Sequence, residues 1–216
     1  MVIAVHAHKI AYMALPKAGC STVKAALAQV DPKAKLPPAD KIDVHTWHAL
    51  YPTRRFRPHR WAQYPDYWRF AVVRDPVRRL MSVYTNRVVE MQDLHNCRSI
   101  LRGQVDLPKD PDPDFFFSHL KAYMKASSII RHHVLGAELF LGPKPMKFDR
   151  VYKTEELGTF AEDLSRITGQ PVDLPHENRS DQRLRLDDLK YGTVRAIRDL
   201  LETEYRYLSG FYDNPL

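Results

Sequence analysis

Three times along this chain a short apolar run breaks at a turn and continues as a segment of helical periodicity. The runs are Ile10–Leu15, Phe70–Val73 and Met146–Tyr152, the last followed by a helical pattern over Glu155–Thr168. Apolar runs without alternation suit strands buried on both faces of a parallel sheet, and parallel neighbours require a crossover between them. The repeated order predicts an α/β fold, an open and mainly parallel sheet with flanking helices. A length of 216 residues, 44% of them hydrophobic, fits one core and hence a single domain over 1–216. Ligands of such sheets gather beyond the strand carboxyl ends, so the turns there hold the chemistry.

The first turn is Pro16-Lys17-Ala18-Gly19, which opens into a helix through Cys20, Ser21 and Thr22. Between a strand ending at Leu15 and a helix starting near Ser21, the backbone N–H groups can converge on one anion. Pro16 fixes the entry and Gly19 allows a positive φ. Lys17 then stands over the anion as a point charge, while Ser21 and Thr22 offer hydroxyl donors or cap the helix. An ordinary helix start with a solvated lysine is the alternative. A nucleoside-triphosphate loop would need a longer glycine-rich turn closed by Gly-Lys-Ser/Thr, whereas here the lysine precedes the glycine.

The second turn follows Phe70–Val73 with Arg74, then Asp75-Pro76 as a helix start, and places Ser82 eight residues after Arg74. Eight residues are about two helical turns, so Ser82 faces the side of the helix entrance. An arginine can take a phosphate bidentately and a serine can add one bond. An Arg–Asp ion pair with a buried serine is the competing reading. Two anion cradles suggest a ligand phosphorylated at both ends, and a net charge of +7 favours anionic partners generally.

The two cysteines, Cys20 and Cys97, are too few for a disulfide framework and wrongly spaced for zinc. Reduced thiols in a cytoplasmic compartment are expected, with no metal. No stretch approaches the roughly 20 apolar residues that cross a bilayer, and no export signal opens the chain. DKIDVHTWHAL (40–50) is expected to supply a strand or strand end. One helix is expected over about Phe115–Val134 and a last one from Asp187 to about Leu208.

Together the two turns resemble the superfamily of sulfotransferases that use 3'-phosphoadenosine 5'-phosphosulfate (PAPS). The 5'-phosphosulfate loop of that superfamily, Pro-Lys-x-Gly-small-Ser/Thr, is matched by Pro16, Lys17, Gly19, Cys20, Ser21 and Thr22. Its 3'-phosphate site is matched by Arg74 and Ser82 in RDPVRRLMSVY. The form is closest to the carbohydrate, Golgi-type branch, here as a soluble bacterial-type member, and FDRVYKTEELGTFAEDL and EYRYLSGFY extend the likeness. Cys20 departs from a common hydroxyl, and the region between the turns matches least.

The resemblance implies a P-loop-like fold and in-line sulfuryl transfer from PAPS to a carbohydrate or glycan-bearing acceptor, leaving adenosine 3',5'-bisphosphate. Donor contacts fall on Lys17, Ala18, Gly19, Cys20, Ser21, Thr22, Arg74 and Ser82, with Arg179 from the late loop HENRS. Lys17 would stabilise charge on the leaving phosphate. The base would come from DVHTWH, with His45 ranked before His48 and Asp43, and His132 and His133 well behind. The acceptor would bind in region 45–68, where Arg54, Arg55, Arg57 and Arg60 mix with Trp47, Tyr51, Trp61, Tyr64 and Trp68. The same composition fits a single-stranded nucleic-acid groove, the main alternative, although no stable nucleic-acid partner is expected. An ATP-dependent kinase-like enzyme stands third.

Overall fold

The computed structural model describes residues 2–144, 146–174 and 184–216. The chain divides into two compact units, Met1–Arg74 with Ala137–Arg179, and Asp75–Gly136 with Ser180–Leu216.

The first unit is built on a four-stranded sheet of order β1-β2-β3-β4. Its strands are β1 (Ile3–Val5), β2 (Ile10–Met13), β3 (Trp68–Val73) and β4 (Arg150–Lys153). β2, β3 and β4 run parallel, and β1 joins β2 antiparallel. The mixed α/β fold with a mainly parallel open sheet and flanking helices is therefore as expected, with an antiparallel edge strand added. Tyr12 pairs in register with Phe70, their rings stack at 4.8 Å, and Phe160 stacks on Phe70 at 5.1 Å. That aromatic layer packs helix Leu157–Thr168 onto the sheet, while Val23 and Leu27 of helix Cys20–Val30 enter the same core.

Two expectations are corrected in this unit. The segment DKIDVHTWHAL is a helix over Val44–Leu50, because Asp43 caps it. The Asp43 carboxylate accepts the Thr46 N–H at 2.9 Å, the Asp43 N–H reaches the Thr46 hydroxyl at 3.2 Å, and the reciprocal box nucleates a turn where the apolar pattern suggested a strand. The run Met146–Tyr152 is strand only over Arg150–Lys153. Before it, the Arg69 N–H is taken at 2.7 Å by the Asp149 carboxylate, and the Lys147 carbonyl at 3.1 Å by the Trp61 indole. Side chains thus occupy bonds that a longer ladder would need.

The second unit is helical. Its core joins Leu80 and Val83 of helix Pro76–Val83, Phe116 of Pro113–Ser118, Tyr123 of Leu120–Ala126, and Ile197 and Leu201 of Tyr191–Tyr207. The single helix expected over Phe115–Val134 is three, Pro113–Ser118, Leu120–Ala126 and Ser128–Val134, because Ser127 caps a new start by accepting the Ile130 N–H at 3.2 Å. Asp114 ties two helices by accepting from the Thr193 hydroxyl at 2.6 Å, which holds its carboxyl below the ordinary range. Among the described residues, no helix is long and apolar enough to cross a membrane.

Candidate active site on the loop after β2

β2 ends at Met13 and the chain turns through Ala14–Gly19 before the helix at Cys20. Two consecutive demands shape that turn. Lys17 adopts φ 64° and Gly19 φ 67°, both in the left-handed region. Glycine does this without strain, whereas a lysine there is held against a steric cost of about 1–2 kcal/mol. Gly19 is also crowded: a Cβ added to it would lie 3.3 Å from Leu157 Cδ1 and 3.7 Å from Thr154 Cγ2. Gly19 is the N-cap of the helix and no side chain caps the first turn. The early amides of this helix therefore suit an anion.

Three parallel strand ends meet at this loop. The segment after β4 supplies Thr154 and Leu157 against Gly19, and Arg74, directly after β3, donates from Nη1 to the Lys17 carbonyl at 3.1 Å. Lys17 and Arg74 thus belong to one cationic loop at the carboxyl edge of the sheet. Ala18 and Cys20 are buried, and Lys17, Ser21, Thr22 and Arg74 are half-buried.

Behind the loop, Ser21 and Lys24 lie one turn apart on one face of helix Cys20–Val30, and His48 comes from helix Val44–Leu50. His48 Nε2 lies 3.1 Å from Ser21 Oγ, and Nδ1 lies 2.9 Å from Lys24 Nζ. Lys24 also donates to Thr53 Oγ1 at 2.7 Å and has 0% exposure. Burial pulls its pKa down, with the charge of Cys20 acting in the opposite sense.

The other base candidates sit apart from this contact. His45 is exposed, one turn before His48 on the same helix. Asp43 spends its carboxylate on the helix cap, and the backbone and side-chain bonds from Thr46 hold its pKa down, which makes it a poor proton acceptor. His132 and His133 belong to helix Ser128–Val134 in the second unit, where His133 Nδ1 contacts the Ile129 carbonyl at 2.9 Å. Ser82 is in helix Pro76–Val83 of that unit and donates to the Arg79 carbonyl at 2.7 Å. Arg179 lies outside the described residues.

Region 45–68 separates into two kinds of residue. Trp47, Tyr51 and Trp61 are buried in packing, so they present no open stacking faces, while Tyr64 and Trp68 are half-buried. Arg54, Arg55, Arg57, His59 and Arg60 are exposed. Lys24, Thr53, Thr154 and Leu157 were not expected at the site. Thr154 directly follows a parallel strand and Leu157 opens the helix one turn later, which is the signal that places them there. Among the described residues, no group of His, Cys, Asp and Glu is placed to hold a metal ion.

A left-handed lysine before a left-handed glycine, an uncapped helix start and an arginine from the next strand make a loop suited to an anion on an α/β sheet. The family model described as "Sulfotransferase family" matches residues 1–212, and the chain belongs to that family of sulfuryl-transferring enzymes. A search of curated proteins and one of solved structures each returned no match. The family in general implies PAPS as donor.

Proposed function

We propose that the protein transfers a sulfuryl group from PAPS to a hydroxyl of a carbohydrate or glycan-bearing acceptor, and that 1–216 acts as one sulfotransferase domain. The observation that carries this reading is the Arg74 bond to the Lys17 carbonyl, which puts two cations on one loop at the sheet edge. The amides of Ala18–Thr22, with Lys17, Ser21 and Thr22, hold the 5' end of the donor. Arg74 and, by family resemblance, Ser82 and Arg179 serve the 3'-phosphate. When bound, the donor supplies the sulfuryl group: the acceptor oxygen bonds to sulfur as the bond from sulfur to the phosphate oxygen breaks. Lys17 offsets the charge growing on that phosphate oxygen. His45, exposed on helix Val44–Leu50, takes the acceptor proton. The exposed arginines of region 45–68 receive acidic groups of the acceptor.

Calorimetry separates the readings. Adenosine 3',5'-bisphosphate should bind in preference to ATP and to a short oligonucleotide, and Lys17→Ala should lower turnover by about 10²–10³-fold while leaving the fold intact. Stabilisation by ATP alone, or salt-steep binding of the oligonucleotide alone, would reject the assignment.

A further inference from the structure

Lys24 is a lysine with no exposure whose described partners are a histidine nitrogen and a threonine hydroxyl rather than a carboxylate. A buried ammonium is costly unless its donors are used, and Lys24 uses two. Its position matters more than its cost. An ammonium has donors only, so the His48 Nδ1 that meets it at 2.9 Å must accept. A neutral imidazole accepting at Nδ1 carries its hydrogen on Nε2. That hydrogen points at Ser21 Oγ, 3.1 Å away, which accepts it. The Ser21 hydroxyl hydrogen is then left for a third partner, and Ser21 is in the first turn of the helix behind Lys17 and Gly19.

We propose that Lys24 is a positioning residue: it locks His48 as the Nε2–H tautomer, and His48 in turn fixes the Ser21 hydroxyl as a donor toward the anion held by the loop. The role of the anion rests on the sulfotransferase reading, whereas the tautomer lock does not. His48 is then a relay rather than the base. Both its nitrogens are committed, and adding a proton at Nδ1 would set an imidazolium against an ammonium. Among the described residues, the groups facing Lys24 are His48, Thr53 and, through its charge, Cys20. In the absence of the ammonium, His48 is free to take the other tautomer and accept from Ser21, turning the serine hydrogen away from the ligand.

Ring-nitrogen NMR of the free protein reads the lock directly. Wild type should show His48 protonated at Nε2 and unprotonated at Nδ1, and Lys24→Met should show mixed tautomers. Calorimetry with adenosine 3',5'-bisphosphate should show about a ten- to hundredfold weaker affinity for Lys24→Met and for Ser21→Ala, with the double variant no weaker than either. His48→Gln should stay within about threefold of wild type, because its carbonyl can accept from Lys24 while its amide donates to Ser21, and His48→Ala should match Lys24→Met. A wild-type Nδ1–H tautomer, or additive losses, would overturn the proposal. The wild-type spectrum needs no variant to fold. An Nε2–H spectrum without bisphosphate binding would uphold the lock and reject the sulfotransferase reading instead.

Discussion

Among the described residues, each unit of this protein buries one long cation, and the two are treated oppositely. In the second unit, Arg79 meets Glu204 at 2.8 Å and the carbonyls of His133 and Leu135 at 3.3 Å, with 3% exposure. Its charge is cancelled where it sits. In the first unit, Lys24 donates to a histidine and a threonine rather than to a carboxylate, so its charge polarises a chain that ends at Ser21, beside the loop after β2. Burial alone therefore does not mark function. What distinguishes the sites is whether the buried charge is closed by a carboxylate or left open toward the surface.

Removing each charge should expose that difference most strongly. Arg79→Met removes the cation that faces the Glu204 carboxylate in a site with 5% side-chain exposure. Breaking such a pair costs about 3–5 kcal/mol. Lys24→Met leaves a neutral imidazole and a hydroxyl, and should change stability by no more than about 1 kcal/mol. Urea unfolding of the two variants tests the contrast, and equal losses would break it. A smaller effect probes how firmly the pair is held. A Cβ at Gly136 would lie 2.7 Å from Glu204 Oε1, and the carboxylate is pinned by Arg79. Gly136→Ala should therefore cost about 1–3 kcal/mol in the same measurement.

The loop of the first unit inverts the usual sign. Lys17 is held at φ 64°, so Lys17→Gly relieves backbone strain and should raise stability by roughly 1 kcal/mol. The same change removes the cation and should abolish bisphosphate binding in calorimetry. A variant that gains stability and loses the ligand would show that the loop is strained for function, while one that loses both would show a structural lysine.

How far such features can be read in advance follows from their range. Pro16-Lys17-x-Gly19 was legible because its constraint is local: the left-handed positions and the helix start lie within a few residues. β2 and β3 were legible as apolar runs, with boundaries shifted by a few residues. The helix Val44–Leu50 was missed because an Asp43–Thr46 box outweighed a pattern short enough to suit a strand. Lys24 was illegible because a lone lysine between valine and alanine in a helix reads as a solvated position, whereas most of helix Cys20–Val30 is buried. Its burial depends on His48 and Thr53, residues 24 and 29 positions away. The Arg74 bond to the Lys17 carbonyl spans 57 positions and depends on strand order, which no local pattern encodes.

The smallest expected effect is in alkaline stability, and its sign sharpens the comparison further. Burial lowers the pKa of Lys24 from 10.5, so between the folded-state value and 10.5 the unfolded chain binds more protons than the native one. Stability from this group therefore rises with pH across that window, by less than about 1.4 kcal/mol per pH unit, and is flat below it. The buried phenols of Tyr12, Tyr51 and Tyr152 act the other way. Their pKa values are raised above 10.0, first by burial, so their contribution is lost as pH climbs past 10.0. Wild type and Lys24→Met share those tyrosines, and the difference between their urea-derived stabilities at successive pH values isolates the lysine. That difference should move in favour of wild type as pH rises toward 10.5. A pH-independent difference would mean that Lys24 keeps an ordinary affinity for its proton, and that the fold compensates its charge as fully as it does that of Arg79.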